Sequence, residues 1–303
     1  MPTYNSEAFV AEAIESILAQ TFGDFEFIIA DDGSTDKTPD IIRVYAGQDE
    51  RIQPFFLDHG GNPRTANFGV RMARGKWIAR MDNDDVAMPH RLQAQLAWIK
   101  STGVDMCGAL AATIGRGHDV FWYPEDHEAI RRELLFRPGM LHPVVMTRAA
   151  VFKENPYNET AHLDDYEMWT RLASRCKMGN VQEILIRRRC HDGQLHIVEH
   201  EGIKSDLQKY RFRYFYEMYP RTPLRDYLAL ARVSDRRPLP DLGQLRRAGQ
   251  WLVELARHPD PLLRKRMARR WTEACERSAS LGNECETVFH EYRGQFEIDD
   301  END

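Results

Sequence analysis

The sequence predicts an α/β fold: a mostly parallel sheet flanked by helices, followed by a helical C-terminal appendage. Three observations predict it. Short β-branched and aromatic runs alternate with amphipathic segments of helical period. Two of those runs stop abruptly at clustered aspartates, and beyond residue 219 strand-like runs cease.

The first helix can be capped by Ser6, with Phe9, Val10, Ala13, Ile14, Ile17 and Leu18 at helical spacing. Phe25 to Ala30 reads as a strand buried on both faces, stopping at Asp31-Asp32-Gly33-Ser34, where Gly33 can take positive φ. A helix with Pro39 in its first turn follows, then a short strand from Ile52 to Leu57. After the turn Gly60-Gly61-Asn62-Pro63, Thr65 to Arg74 reads as a helix ending at Gly75. Trp77 to Met81 is the next strand and meets Asp82-Asn83-Asp84-Asp85; a helix from about Pro89 to Lys100 leads to a strand over Val104 to Ile114. Asp164 to Cys176 is helical, Val181 to Arg189 a strand, and Gln194 to Tyr219 one long helix.

Three segments are expected: 1–219 as the α/β domain, 220–285 as a helical region and 286–303 as an acidic tail, disordered past Phe296. Pro2-Thr3-Tyr4-Asn5 reads as a loop leaving a strand that is itself absent. The natural chain is therefore expected to extend upstream by a short hydrophobic segment.

The 303 residues carry 41 Lys and Arg against 47 Asp and Glu, a net charge of -6, which argues against a nucleic-acid binder held by a global basic field. No apolar run approaches the ~18 residues of a membrane span, and the N-terminus lacks the pattern of a secretory signal. The 5 cysteines are scattered without a C-x-x-C, so neither a disulfide framework nor a zinc site is indicated. A reduced, cytoplasmic protein is expected.

In open parallel sheets, ligands bind at the carboxyl ends of the strands. Two strands deliver acids there, Asp31-Asp32 and Asp82-x-Asp84-Asp85. Clustered carboxylates repel one another unless a cation is present, and Mg2+ or Mn2+ takes oxygen ligands. Alternation along a strand would point Asp82 and Asp84 one way and Asn83 the other. Each cluster alone is better explained as an Asx turn; their joint placement at two strand ends reverses that and favours a site for a metal-bridged diphosphate.

The segments M-P-T-Y-N, S-I-L-A-Q-T-F-G-D-F-E, D-D-G-S-T-D and A-R-G-K-W-I-A-R-M-D-N-D-D with M-P-H-R-L resemble glycosyltransferase family 2, whose fold is the Rossmann-like GT-A type. The likeness spans roughly residues 1–195. It implies a nucleotide-sugar donor, most simply a UDP-sugar. Pro2, Thr3 and Tyr4 would line the base with Asp32 as its hydrogen-bond acceptor. Asp82 would touch the ribose beside Asn83, Asp84 would hold Mg2+ or Mn2+, and Arg64 would contact base or phosphate.

His162 to Leu172 resembles the family's E-D-x-x-L-W-x-R-L helix, which puts the general base at Asp165 with Asp164 beside it. The competing reading is a plain helix cap. Arg187-Arg188-Arg189-Cys190-His191 resembles a Y-R-x-H segment, in which His191 would contact metal or diphosphate, and His142 matches a pocket-lining histidine. The family inverts configuration by direct displacement and transfers to a saccharide or lipid-linked acceptor of envelope polysaccharide.

Residues 245–271 interleave arginines with Trp251, Leu252, Leu255, Leu262, Leu263 and Met267. Such a stretch suits peripheral contact with an anionic membrane at its cytoplasmic face, or an ordinary two-helix appendage. Two other functions stay open: a catalytically degenerate donor-binding relative, and a nucleotidyltransferase, although the glycine-rich phosphate loop of the latter is missing.

Overall fold

A computed structural model of the chain describes residues 1–114, 119–190 and 200–296. His191 and the tail past Phe296 lie outside the described residues. The chain forms two units, Met1–His127 with Pro138–Asp206, and Glu128–Arg137 with the chain from Leu207 onward.

In the first unit, β1 (Pro2–Thr3), β2 (Phe27–Asp31) and β3 (Ile52–Phe56) form a wholly parallel ladder in the order β1-β2-β3. Pro2 and Thr3, expected in a loop, pair with Ala30 and Asp31. Between the strands run α1 (Val10–Leu18) and α2 (Thr38–Ala46), with α3 (Asn62–Met72) after β3. Val10, Ala13, Ile14 and Ile17 of α1 are buried, the i, i+3, i+4, i+7 face of an amphipathic helix. Ser6 does not cap through its hydroxyl, which bonds the Tyr4 carbonyl instead.

A second ladder contains β4 (Trp77–Ala79), β5 (Val86–Ala87), β6 (Met106–Ile114), β7 (Val120–Phe121), β8 (Met146–Arg148) and β9 (Met178–Arg189). Its order is β4-β8-β6-β9-β5, with β7 on β6. Here the expectation of a mostly parallel sheet needs refining. Only β6 and β9 run parallel; β4–β8, β6–β8, β5–β9 and β6–β7 are antiparallel. Short returns can join only antiparallel neighbours, whereas a parallel pair needs a long crossover. Cys107, Ala109, Leu110 and Ala111 make the centre of β6 apolar on both faces.

Helix α4 (Arg91–Thr102) ends at Gly103 in the left-handed conformation, and α6 (Ala149–Glu154) and α7 (Asp164–Leu172) follow β8. A cleft of about 640 Å³ lies between β2, α3 and β4, lined among others by Met1, Phe27, Ile28, Val70, Trp77 and Arg80.

The second unit begins with most of α5 (His127–Glu133). It continues with α8 (His200–Met218) from Leu207, α9 (Leu224–Ser234), α10 (Leu242–Ala256), α11 (Pro261–Arg277) and α12 (Asn283–Arg293). Asp241 and Asp260 cap α10 and α11 through the free N–H groups of Gln244, Leu262 and Leu263. The apolar stripe of 245–271 is consumed inside this unit, since Leu252, Leu255, Leu263 and Met267 are fully buried. It is therefore not a free apolar face for a bilayer. Glu133 is buried among Arg137, Arg266 and Arg270, the last two at 3.2 and 3.7 Å. No helix of the described residues is long and apolar enough to cross a membrane.

Gly33 adopts φ 73°, and a Cβ there would lie 2.9 Å from the His59 backbone nitrogen. Gly33→Ala is expected to lower stability by about 1–3 kcal/mol, read as an earlier urea midpoint with unchanged slope.

Candidate active site

Strand β4 ends one residue before Arg80, and the chain then turns through Asp82, Asn83, Asp84 and Asp85 into β5. One carboxylate oxygen from each of Asp82, Asp84 and Asp85 lies within 4.8 Å of the others. Burial first, then the neighbouring Asp82 and Asp84 charges, push the Asp85 carboxyl up to about 8. Repulsion of this kind is what a hard divalent cation would relieve, and an all-oxygen donor set suits Mg2+ or Mn2+. The residues present therefore fit such an ion. Asp85 is also used internally, accepting the Arg189 backbone N–H at 2.9 Å, while the Arg189 Nε donates to the Asp84 carbonyl at 2.9 Å. The end of β9 thus clamps the acidic turn.

Asp82 behaves differently from Asp85. Burial works against its ionisation, but the Arg80 guanidinium 2.9 Å away prevails and holds the carboxyl below its usual range. Arg80 is itself 7% exposed. Its Nη2 also donates to Asn62 Oδ1 at 3.3 Å, and Asn62 Nδ2 donates to Asp164 Oδ2 at 3.3 Å. A chain of side chains therefore runs from the acidic turn to the head of α7.

At that head, Asp164 Oδ1 accepts the Asp165 N–H at 3.0 Å, and Asp165 Oδ1 accepts the Tyr166 N–H at 2.6 Å. The entry to the helix is held by the Asp206 carboxylate, which accepts the N–H groups of His162 and Leu163 at 2.7 and 3.3 Å. Burial, and next the adjoining Asp164, raise the Asp165 carboxyl to about 7. His142 is buried, its Nε2 2.9 Å from the Tyr157 hydroxyl. Burial and then Arg80 depress it to about 4, so the imidazole is neutral at pH 7.

Asp32 belongs to a second group. Its carboxylate accepts the N–H groups of Gly60 and Gly61, both at 2.9 Å, and the Thr65 hydroxyl at 2.8 Å; His59 Nδ1 stands 2.9 Å away. Those partners occupy about the four lone-pair positions of a carboxylate. The Tyr4 ring, 43% exposed, stacks on His59 with centroids 4.4 Å apart. Arg64 is exposed with its guanidinium against Gly60, where a Cβ would lie only 2.2 Å from Nη1. Thr3 is buried and its hydroxyl is turned inward to Ala30 and Asp31, while Pro2 and Asn83 are half-buried.

The structure thus brings Asp82, Asp84 and Asp85 together, with Asp164 and Asp165 in electrostatic reach of Asp82. Tyr4, Asp32 and Arg64 gather separately around His59 and Gly60. Sequence reasoning missed Arg80, Asn62 and His59. Arg80 was detectable in principle, because it stands two residues before Asp82 and alternation puts the two on one side of an extended chain.

An α/β fold that gathers acids beyond its strand ends beside a helix-borne carboxylate pair defines a transferase of the GT-A type. The chain belongs to glycosyl transferase family 2, whose family model matches residues 1–160. It is 29% identical over 200 residues to the O-antigen biosynthesis glycosyltransferase WbnJ of Escherichia coli, covering 63% of this chain and 78% of that one. It is 31% identical over 201 residues to an uncharacterized glycosyltransferase of Methanocaldococcus jannaschii, covering 62% of this chain and 69% of that one. In fold it is similar to S. aureus TarS 1-349 in complex with UDP-GlcNAc, with TM-score 0.64 and 18% identity over 97% of this chain and 90% of that chain. A mannosyltransferase of Pyrobaculum calidifontis in complex with GDP-Man and Mn2+ gives TM-score 0.50 and 13% identity over 97% and 82%.

Asp32→Ala would leave the Gly60, Gly61 and Thr65 donors without their acceptor. A loss of about 2–4 kcal/mol is expected in denaturant titration, as for a buried charged group with several bonds. Unchanged stability would mean that these bonds are not formed in solution.

Proposed function

We propose that the protein is an inverting, divalent-cation-dependent transferase that moves a hexosyl group from a nucleotide-sugar donor, a UDP-sugar in the simplest case, to an acceptor hydroxyl. The observation that carries this reading is the pairing of the Asp82, Asp84 and Asp85 trio with Asp165, a carboxylate poised near 7. The donor class is supported by the UDP-GlcNAc and GDP-Man complexes of the fold neighbours. The O-antigen role of WbnJ supports a saccharide or lipid-linked acceptor in envelope polysaccharide synthesis.

Asp84, within the acidic cluster, would hold Mg2+ or Mn2+, which when bound would offset the charge of the leaving diphosphate, and Asp82 would touch the ribose. Asp165 takes the proton from the acceptor hydroxyl as that oxygen attacks the anomeric carbon; a single displacement inverts the centre and needs no nucleophilic carboxylate. Asp164, tied to Asn62, orients the pair. Tyr4 and its His59 partner offer the exposed ring for the base, and Asp32 holds the Gly60-Gly61 turn beside them. In 245–271 the exposed basic residues are Arg246, Arg257, Lys265 and Arg269, so contact at the cytoplasmic face would be mainly electrostatic and weakened by salt.

Asp165→Asn is expected to keep UDP binding and lose about 10²–10⁴ in turnover, measured as metal-dependent UDP release from a panel of donors. Undiminished kcat would refute the base, and donor binding without turnover in the unmutated protein would favour a degenerate relative. EDTA should abolish release and Mn2+ restore it.

The same variant has a stability signature. A carboxyl raised from its ordinary 3.8 to about 7 on folding favours the native state while protonated, and that contribution is lost as pH climbs from about 4 to 7. Asp165→Asn should therefore melt higher than the unmutated protein at pH 8, with the gap closing toward pH 4.

A further inference from the structure

We propose that Arg80 is a positioning residue for this transfer: through Asn62, its buried guanidinium holds the acidic turn and the head of α7 at a fixed separation. The inference rests on the reading of Asp165 as the base.

The geometry is a three-link bridge. Arg80 Nη2 reaches Asp82 Oδ1 at 2.9 Å and Asn62 Oδ1 at 3.3 Å, and Asn62 Nδ2 reaches Asp164 Oδ2 at 3.3 Å. The members come from three places in the chain: the end of β4, the start of α3 and the start of α7. Arg80 is itself fixed at both backbone groups. Its N–H donates to the Val145 carbonyl at 2.8 Å, and its carbonyl accepts from Nη2 of the fully buried Arg91 at 2.5 Å. The backbone that carries the guanidinium is thereby held in place between the two acids' elements.

Two features set this apart from an ordinary ion pair. Burying a guanidinium is costly unless its donors are satisfied, yet Arg80 Nε has no acceptor among the described residues. A group retained solely for stability would be better replaced by an apolar side chain. The bridge also depends on the planar fork, because Nη2 serves two acceptors of different kind, and an ammonium on a flexible stem would not fix both directions.

Position and charge can be separated by variants. The charged groups acting on Asp165 are Asp164, Asp82 and Arg80, with the Tyr157 hydroxyl close by. Arg80 opposes the rise caused by the two acids. Asn62→Ala breaks the bridge and keeps every charge. Arg80→Lys keeps the charge and loses the fork, and Arg80→Met loses both.

The experiment measures kcat, donor KM and the acid limb of kcat/KM for all three variants of the full chain with Mn2+. It adds the Asp165 titration from carbonyl-¹³C-aspartate NMR, assigned with Asp165→Asn. Asn62→Ala is expected to lose about tenfold to a hundredfold in kcat with KM and the acid limb near their original values. Arg80→Lys should lose kcat comparably, also with the limb in place. Arg80→Met should lose more and move both the limb and the NMR titration to higher pH. Original kcat in Asn62→Ala, or full recovery of kcat in Arg80→Lys, would overturn the proposal, because charge alone would then suffice. Should the Arg80→Met chain be too unstable to assay, the other two variants decide between position and charge. If the unmutated protein releases no UDP from any donor, the reading of the function fails; the NMR titration then judges Arg80 separately, and an unmoved titration in Arg80→Met overturns it.

Discussion

The site depends on how much negative charge the fold can hold beyond one set of strand ends. Asp82, Asp84 and Asp85 share one turn, and Asp164 and Asp165 act on it from α7. Two unit charges 4 Å apart near a protein surface repel by about 4 kcal/mol, while a whole domain has a net stability of roughly 5–15 kcal/mol. Five such groups could not all be ionised in one place without counter-charge. The fold answers in two ways. Arg80 is buried against Asp82, and Arg188 adds its charge from β9. Elsewhere the carboxyls of Asp85 and Asp165 are raised, mainly by burial and then by neighbouring acids, so each holds its proton to higher pH than an ordinary carboxylate. What remains uncompensated is the attraction for a cation and for the proton of an incoming hydroxyl.

Much of this was legible in the sequence, and the reasons differ by residue. Asp82 and Asp84 stand just past a short strand, and the turn there brings them together. Asp165 was reachable only through the family likeness, because a carboxylate at a helix start is ordinary capping chemistry. The role of Asp32 was not legible. Its partners Gly60, Gly61 and Thr65 lie about thirty residues away, and nothing local announces that a carboxylate will be filled by backbone donors of another loop. Arg80 was missed because a lone arginine at a strand end looks like a solvated residue until burial is known. The second ladder was only partly legible, since β5 and β8 have two and three residues and carry too little pattern to reveal an antiparallel return.

The same limit explains the 245–271 stretch. Leucines and arginines at helical spacing describe an amphipathic helix, but amphipathicity does not say what the apolar side meets. Here α10 and α11 bury theirs within their own unit, and Glu133 is held there among Arg137, Arg266 and Arg270. Removing that buried carboxylate would take from three guanidinium groups the anion they share, which makes those arginines structural before they are anything else.

Asp164 and Asp165 show how neighbouring groups of one chemistry come to differ. Asp164 receives the Asn62 amide and the Asp165 N–H, two donors that stabilise a carboxylate. Asp165 receives a single N–H, from Tyr166, and feels Asp164 as its strongest charged neighbour. A base must be free of its proton at working pH and still want one, and a carboxylate at its ordinary value near 4 satisfies only the first condition.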